Sequence, residues 1–377
     1  MTRPLRAVRA VEVRQSLASK LKAARMLTGM STRTVAAKLG MRFSISHATI
    51  ANYESGRSAP PTDILAALAA VYDRPLNWFL ERGRTLSGIR YRNLKSRVRI
   101  TDLHRFEADT QRWIDAYVTL ESRLKKPLKP SITDLRVPAE LRPNELARLV
   151  RRALKLKDDE PVPSVVDVLE KFGLRVMENA TELRIDGLAA RYEGDYVIIL
   201  NPGVSNDRSR LNAAHELAHV LLGDCDKDQT ESKETEQRAF EFGSLLLLPN
   251  AQLKRAFEGQ SMVRLVRFKE RFGISLAAMV YRAEKLGFIT KGAAKTLWIE
   301  FARRGWKTNE PGNVRPDRAT RFEQLIDEVL SSGYMSLKEV ADLAGVRPEA
   351  IRQRLNFAMG INLTPEDEGA NIIKFPG

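Results

Sequence analysis

Apolar residues along this chain recur mostly at intervals of three and four, the spacing of helices with one buried face. Leu17, Leu21 and Ala24 share such a face, and Gly29 ends that helix. Ser31 then offers an N-cap to a second helix carrying Val35 and Leu39, which Gly40 closes. A third helix starts at Ser46 and ends at Ser55-Gly56, with Ile50 and Tyr53 inward and His47, Ala48, Thr49 and Asn52 outward. After Ala59-Pro60-Pro61 a fourth carries Ile64, Leu65, Leu68 and Tyr72, and Trp78 and Phe79 close the core from a fifth.

Further on, Phe106, Trp113, Ile114, Tyr117, Leu120 and Leu124 predict one long amphipathic helix, which needs the next domain or a second copy of itself as partner. The stretch Lys125 to Pro130 breaks it. Leu146, Leu149, Val150 and Leu154 mark a helix, and Ser164 can cap another through Val165, Val168, Leu169 and Phe172 that stops at Gly173. A small sheet follows: Leu174 to Met177 reads as a strand, and Leu188 to Tyr192 and Tyr196 to Leu200 flank Glu193-Gly194-Asp195 as a hairpin. Two helices come next, one from near Asp207 or Ser209 to about Leu222 and one from Glu231 to Leu248.

In the tail, Phe322, Leu325, Ile326 and Val329 form a helix face, and Ser336 to Val346 leads into Glu349 to Leu355 at a spacing that suits helix-turn-helix. Its mixed charge favours packing or substrate recognition over DNA reading, and Ile372 to Pro376 is a short strand or a free tail. The predicted class is α+β, mostly α with a small β-sheet, in four segments: 1–84, a connector over 85–140, 141–311 and a helical C-terminal domain over 312–377.

Charge changes this picture in one segment. At 377 residues with 43% hydrophobic content the chain can bury more than one core, and 62 Lys and Arg against 47 Asp and Glu give a net charge of +15, which suits a polyanion. Residues 1–84 hold 14 Lys and Arg against 5 Asp and Glu, so most of the excess sits on the short N-terminal helices. Short helices joined through Gly-containing turns match helix-turn-helix, in which the start of the second helix reaches base edges. The expected partner is double-stranded DNA, with Arg33, Ser46, His47, Ala48, Thr49, Asn52 and Arg57 as candidate contacts. A five-helix interaction module without DNA contact is the alternative. A basic run of Arg90, Arg92, Lys95, Arg97 and Arg99 could touch phosphates or form a solvated face. A homodimer suits such a reader, because paired half-sites multiply few contacts.

The single Cys excludes an intrachain disulfide and a Cys-x-x-Cys metal site and fits a reducing cytosol. No run approaches the ~20 apolar residues of a membrane span, so the expectation is a cytoplasmic, nucleoid-associated protein without a membrane partner.

The chemistry is concentrated in Ala214-His215-Glu216-Leu217-Ala218-His219, where 2 of the chain's 4 His lie one helical turn apart. His215 and His219 at i and i+4 face one point and can share a metal ion, and Glu216 beside the first can lie next to a water on that metal. A third ligand is needed. His47 and His104 lie in other segments, which leaves Asp224, Cys225, Asp226 or a carboxylate on the following helix. There Glu236 shares a stripe with Ala239, Phe240, Gly243, Leu246 and Leu247, while Glu234 and Glu241 point toward Arg238 and solvent. An ionised carboxylate on an apolar stripe is costly unless paired, and a zinc ion would be its partner. A His2Glu zinc with an open fourth position suits peptide hydrolysis, with Glu216 as the acid/base rather than a ligand. Tyr281, Arg208 and Arg210 are candidates to stabilise the oxyanion.

Two resemblances follow. Leu21, Arg25, Gly29-Met30-Ser31, Val35-Ala36, Leu39-Gly40, Ile50 to Arg57 and Pro60 resemble the XRE/Cro-type helix-turn-helix family, with about four extra residues around Phe43-Ser44-Ile45-Ser46. Asp186-Gly187, Val197 to Asn201, Arg208, Arg210 to His219, Glu236, Ala239, Phe242-Gly243, Leu246-Leu247 and Pro249 resemble the ImmA/IrrE family of zinc metallopeptidases. Ile274 to Ala283, Gly305-Trp306-Lys307 and Glu310-Pro311 match that family too, whereas Phe240 stands where it usually has Asn and Gly243 where it usually has Ala. Carried over residue by residue, the resemblance puts the zinc ligands on His215, His219 and Glu236 and the acid/base on Glu216. It implies a zincin-like central domain in a regulator whose relatives cleave a helix-turn-helix repressor to release stress or mobile-element genes. The alternative is a transcription factor whose peptidase-like domain is a non-catalytic sensor or dimerisation module.

Overall fold

Many helices of the computed structural model begin where a serine or threonine side chain can accept an otherwise unpaired backbone N–H, as Ser31, Ser46, Ser164, Ser232, Ser275 and Ser336 do. The structure describes residues 17, 18, 20–22, 24, 25, 28–40, 43–74, 76–80, 86, 87, 100–129, 131–135, 137, 138, 140–179, 186–192, 195–224, 232–259 and 261–359. The basic run from Arg90 to Arg99, Glu193-Gly194, Cys225, Asp226, Glu231 and the stretch Ile372 to Pro376 lie outside them. Two compact units result, one drawn from residues 1–86, 95–127 and 321–377 and the other from 87–94 and 128–320. The fold is mostly helical with a small mixed sheet. No described helix is long and apolar enough to cross a membrane.

Unit one opens with helical residues around Leu21, followed by α1 (Thr32–Leu39), α2 (His47–Glu54), α3 (Thr62–Val71) and α4 (Leu76–Leu80). Leu21, Ala24, Val35, Leu39, Ile50, Tyr53, Leu65, Leu68, Tyr72 and Phe79 form one core, as the helical spacing predicts. The extra residues before α2 are anchored by that core, because Phe43 and Ile45 pack against it. Arg25 ties the first helical segment to the end of α2: its Nε and Nη2 donate to the two Glu54 carboxylate oxygens at 2.6 and 2.8 Å, and Nη1 donates to the Met30 carbonyl at 2.9 Å. After the short strand β1 (Leu86–Ser87), α5 (Ile100–Leu124) spans 25 residues with Phe106, Trp113, Ile114, Tyr117 and Leu120 buried.

In unit two, α6 (Pro143–Ala153) and α7 (Val165–Lys171) precede β2 (Arg175–Glu178), β3 (Gly187–Tyr192) and β4 (Asp195–Leu200). β3 and β4 form the antiparallel hairpin predicted from two apolar runs flanking a Gly-containing turn, with Tyr192 opposite Asp195 and Gly187 opposite Leu200. β2 adds in parallel on the other side of β4, with Arg175 opposite Val197. The strand order is β1-β3-β4-β2. β4 is central and Val197 to Leu200 are all buried, which is why it reads as a continuous apolar run.

α8 (Asn206–Leu221) packs on the sheet, and α9 (Lys233–Leu247) packs on α8. α8 is buried almost all round, as expected of a helix at the middle of a core. α10 (Asn250–Phe257), α11 (Met262–Phe272), α12 (Leu276–Lys285) and α13 (Lys291–Arg303) complete the unit. The chain then returns to unit one as α14 (Arg321–Ser331), α15 (Leu337–Ala344) and α16 (Pro348–Met359). The partner that the amphipathic face of α5 requires is this tail: Phe322 of α14 stacks on Tyr117 at 5.5 Å and meets Trp113 at 5.3 Å, while Arg321 donates to the buried Glu121 at 3.0 Å.

Candidate metal centre

Three side chains from two helices converge in unit two. His215 and His219, each 2% exposed, lie one turn apart on α8 with their Nε2 atoms 3.0 Å from one another. Glu236 of α9 completes the group: its Oε2 is 3.2 Å from His215 Nε2 and its Oε1 is 3.3 Å from His219 Nε2. α9 approaches α8 closely at Gly243, where a Cβ would lie 3.1 Å from the His215 backbone nitrogen and 3.3 Å from the Ala214 carbonyl carbon, so a side chain there would need the helices to part by a few tenths of an ångström.

The donor set could hold a metal ion. A tetrahedral ion with ligand bonds of about 2.0–2.1 Å sets its ligand atoms about 3.3 Å apart, close to the separations present here. Asp224, weighed as a ligand on spacing alone, lies on the other side of the His219 ring, with Oδ2 3.0 Å from Nδ1. With the Nδ1 hydrogen donated to Asp224, the Nε2 lone pair points at Glu236 and His215. His215 Nδ1 is buried and without a hydrogen-bond partner among the described residues.

Electrostatics at this point call for a cation. Burial acts to lower the His219 pKa, but hydrogen bonds to Asp224 and Glu236 and the charges of Glu216 and Glu236 outweigh it, so His219 is raised from 6.5 to about 9. Burial likewise acts to raise Glu236, and the hydrogen bonds and charges of the two imidazoles hold it well below the usual carboxylate range. Carboxylates gathered around buried imidazoles thus draw in a proton, and a cation at the same place would be favoured by the same charges.

Glu216 follows His215 on α8 and is 3% exposed. Its carboxylate rests on the start of β3, where a Cβ on Gly187 would lie 3.4 Å from Glu216 Cγ and Oε1. A methyl group would fit at Gly187 in ordinary contact with this carboxylate, and a larger side chain would press on it.

Buried cations that spacing did not single out for this role hold the elements in place. Arg282 donates to the carbonyls of Ser244 and Leu248 at 2.6 and 2.8 Å and to Asn250 Oδ1 at 2.7 Å, satisfying the C-terminal end of α9. Burial lowers its pKa to about 10. Arg151 donates to the Leu246 carbonyl at 2.8 Å, and Lys269 meets Glu310 at 2.8 Å and Asp207 at 3.1 Å. The one sequence-level signal for such residues is a cation inside an otherwise apolar stripe, as at Arg282 within Leu276 to Ala283.

Of the oxyanion candidates, Arg210 is buried and committed to Asp317 and to the Val162 and Pro163 carbonyls. Arg208 is exposed and pairs with Asp186, and Tyr281 is half exposed with its ring 6.5 Å from Phe240.

In unit one, Ser46 spends its hydroxyl capping α2, accepting the Thr49 N–H at 3.1 Å. His47 and Ala48 are exposed on the first turn of α2, Thr49 and Asn52 are half-buried, Arg57 is exposed beyond the helix end and Arg33 is exposed on α1. His47 belongs to unit one, and among the described residues the group that could hold a metal takes its two histidines, His215 and His219, from unit two.

Comparison with known families matches both units. The model described as "IrrE N-terminal-like domain" (Peptidase_M78) matches residues 169–284, which contain the whole candidate centre. The model described as "Helix-turn-helix" (HTH_3) matches residues 21–79. No curated protein matches the chain.

Proposed function

From a chain that carries a helix-turn-helix domain at residues 21–79 and an IrrE N-terminal-like domain at 169–284, we propose a DNA-binding transcriptional regulator that is also a zinc metalloendopeptidase. The observation that carries this reading is the buried group His215, His219 and Glu236 with Glu216 next in sequence to a ligand. His215, His219 and Glu236 would hold zinc, the metal best suited to two imidazoles and a carboxylate with one position left open. Bound there, zinc supplies Lewis acidity and brings the pKa of a water to about 7.

Glu216 takes a proton from the attacking water and returns it to the amine as the peptide C–N bond breaks. Asp224 keeps the proton of His219 on Nδ1 and so keeps Nε2 a ligand. In unit one, the first turn of α2 with Arg33, Ser46, His47, Ala48, Thr49, Asn52 and Arg57 reads duplex DNA, and a homodimer doubles the contacts. The substrate is a helix-turn-helix repressor or the chain itself, cut in the cytoplasm near the DNA that both proteins bind.

The test is zinc-dependent cleavage of the helix-turn-helix repressor encoded nearest this gene. Glu216→Gln should bind zinc and DNA as the unaltered protein does and cut nothing. Equal cleavage by that variant removes Glu216 from the mechanism. Unchanged gene regulation in its presence would instead favour a sensor or dimerisation role for the domain.

A further inference from the structure

One pattern is used neither by the metal centre nor by the N-terminal reader. Within unit one, α15 and α16 are joined by three residues, Gly345, Val346 and Arg347. Turns of three or four residues, often with glycine, are the junction of helix-turn-helix motifs. Here the glycine is favoured by its φ of +70°, a conformation that L side chains rarely adopt. Ser336 and Glu339 close a reciprocal cap at the start of α15. Val340 and Ala341 of α15 are buried, as are Ile351 and Leu355 of α16 and Leu325, Ile326, Val329 and Leu330 of α14, so the three helices share the inward pattern of a trihelical motif. By contrast, the junction between α1 and α2 is extended by the stretch around Phe43 and Ile45.

The exposed face of α16 is polar at its start and apolar toward its end: Arg347 in the turn and Glu349, Ala350 and Gln353 on the first turns of α16 are exposed, as is Lys338 on α15, while Val346 and Phe357 are exposed apolar residues at 44% and 94%. Arg, Gln and Glu are side chains that bond guanine, adenine and cytosine edges in the major groove, and the start of the second helix is where such contacts are made. Arg112 of α5 donates to the Asp342 carbonyl near the C-terminal end of α15 at 3.3 Å. The same unit contains the helix-turn-helix domain at 21–79, so duplex DNA held there would raise the effective concentration of DNA at α15 and α16.

We propose that α15 and α16 form a second DNA reader, so that unit one carries two unlike recognition helices, α2 and α16. Arg347, Glu349 and Gln353 read bases and Lys338 contacts phosphate. One copy of the chain then recognises two different sequence elements, independently of any peptidase activity.

The experiment selects binding sites from a randomised duplex library with the full chain. The unaltered protein should enrich two unlike motifs. Arg347→Ala with Gln353→Ala should keep one motif, lose the other and bind the unaltered protein's consensus about tenfold or more weakly. His47→Ala with Asn52→Ala should do the reverse. Lys338→Ala should weaken binding to all selected sites alike and reduce the salt dependence by about one counterion. All five positions lie on exposed or half-buried surface, so the circular dichroism and melting of the variants should match the unaltered protein. The proposal is overturned if the Arg347/Gln353 variant enriches the same motifs with the same affinity, which would assign α16 to packing or to a protein partner. It is overturned equally if that variant loses both motifs, or if the unaltered protein enriches one motif alone or as a palindrome.

Discussion

Replacing Asp224 with Asn tests the metal centre without touching a ligand. The Asp224 carboxylate lies 3.0 Å from His219 Nδ1, and the imidazole is 2% exposed, so this hydrogen bond is shielded from water. A hydrogen bond to a charged acceptor contributes about 1.5–3 kcal/mol and a neutral one about 1 kcal/mol. Asn can still accept the Nδ1 hydrogen through its amide oxygen, so the expected loss in zinc binding is about 1–2 kcal/mol, or about 5- to 30-fold, and Asp224→Ala should lose more. Protons act in the opposite sense. Asp224 helps raise His219 to about 9, so below that pH zinc must displace a proton, and the variant escapes part of this competition. The deficit should therefore be smallest near pH 6.5 and complete above about pH 9. Competition with a chromophoric chelator across this range measures it. Zinc affinity of Asp224→Asn within twofold of the unaltered protein at pH 9.5, or tighter binding by Ala than by Asn, would refute the assignment.

Other outcomes follow from the same structure. Glu54→Ala leaves Arg25 half-buried at the end of α2 without its bidentate partner, and should destabilise unit one by about 3 kcal/mol in denaturant titration, while replacing both residues with apolar ones of similar size should recover most of that. In the zinc-free protein, the rise of His219 from 6.5 to about 9 corresponds to about 3 kcal/mol that is fully present below about pH 6.5 and lost as the pH rises through 9; the melting of unit two should fall accordingly between pH 6 and pH 9.5. Zinc binding should tighten over the same range. At Gly187 an added Cβ makes ordinary contact with Glu216, so Gly187→Ala should be tolerated, whereas the branched Gly187→Val should suppress cleavage with zinc content unchanged by metal analysis.

Local chemistry was legible in the sequence where one element carries it. His215 and His219 had to face one point because they are one turn apart, and Glu236 stood out because an ionised group on an apolar stripe requires a partner. The hairpin, the caps at Ser31, Ser46 and Ser164 and the core of the N-terminal helices were readable for the same reason. Asp224 was ambiguous, because its position in the chain places it near His219 without saying which ring nitrogen it meets. Arg151, Lys269 and Arg282 were less legible still: each satisfies a carbonyl or carboxylate that lies tens of residues away in sequence, Leu246, Glu310 and Ser244 respectively. Periodicity identifies a face that must be covered, not the segment that covers it.

The clearest case is α5, and it changes the standing of the tail. Its buried face needed a partner, and within unit one that partner arrives about 200 residues later, when Phe322 meets Trp113 and Tyr117 and Arg321 reaches both Glu121 and the Lys126 carbonyl. Lys126 meets Glu328 at 2.6 Å as well, so the point where the chain leaves unit one is stitched to the point where it returns. Unit one is therefore assembled from non-contiguous segments, and the larger segment of unit two, residues 128 to 320, lies between two of them in the chain. A protein ending at residue 320 would keep every residue of the metal centre and of the matched helix-turn-helix domain. It would lose the aromatic cover of α5 and the cation on a carboxylate that is 1% exposed, a loss of a few kcal/mol for the ion pair alone. The tail belongs to the architecture of the DNA-reading unit, whether or not α16 itself reads bases.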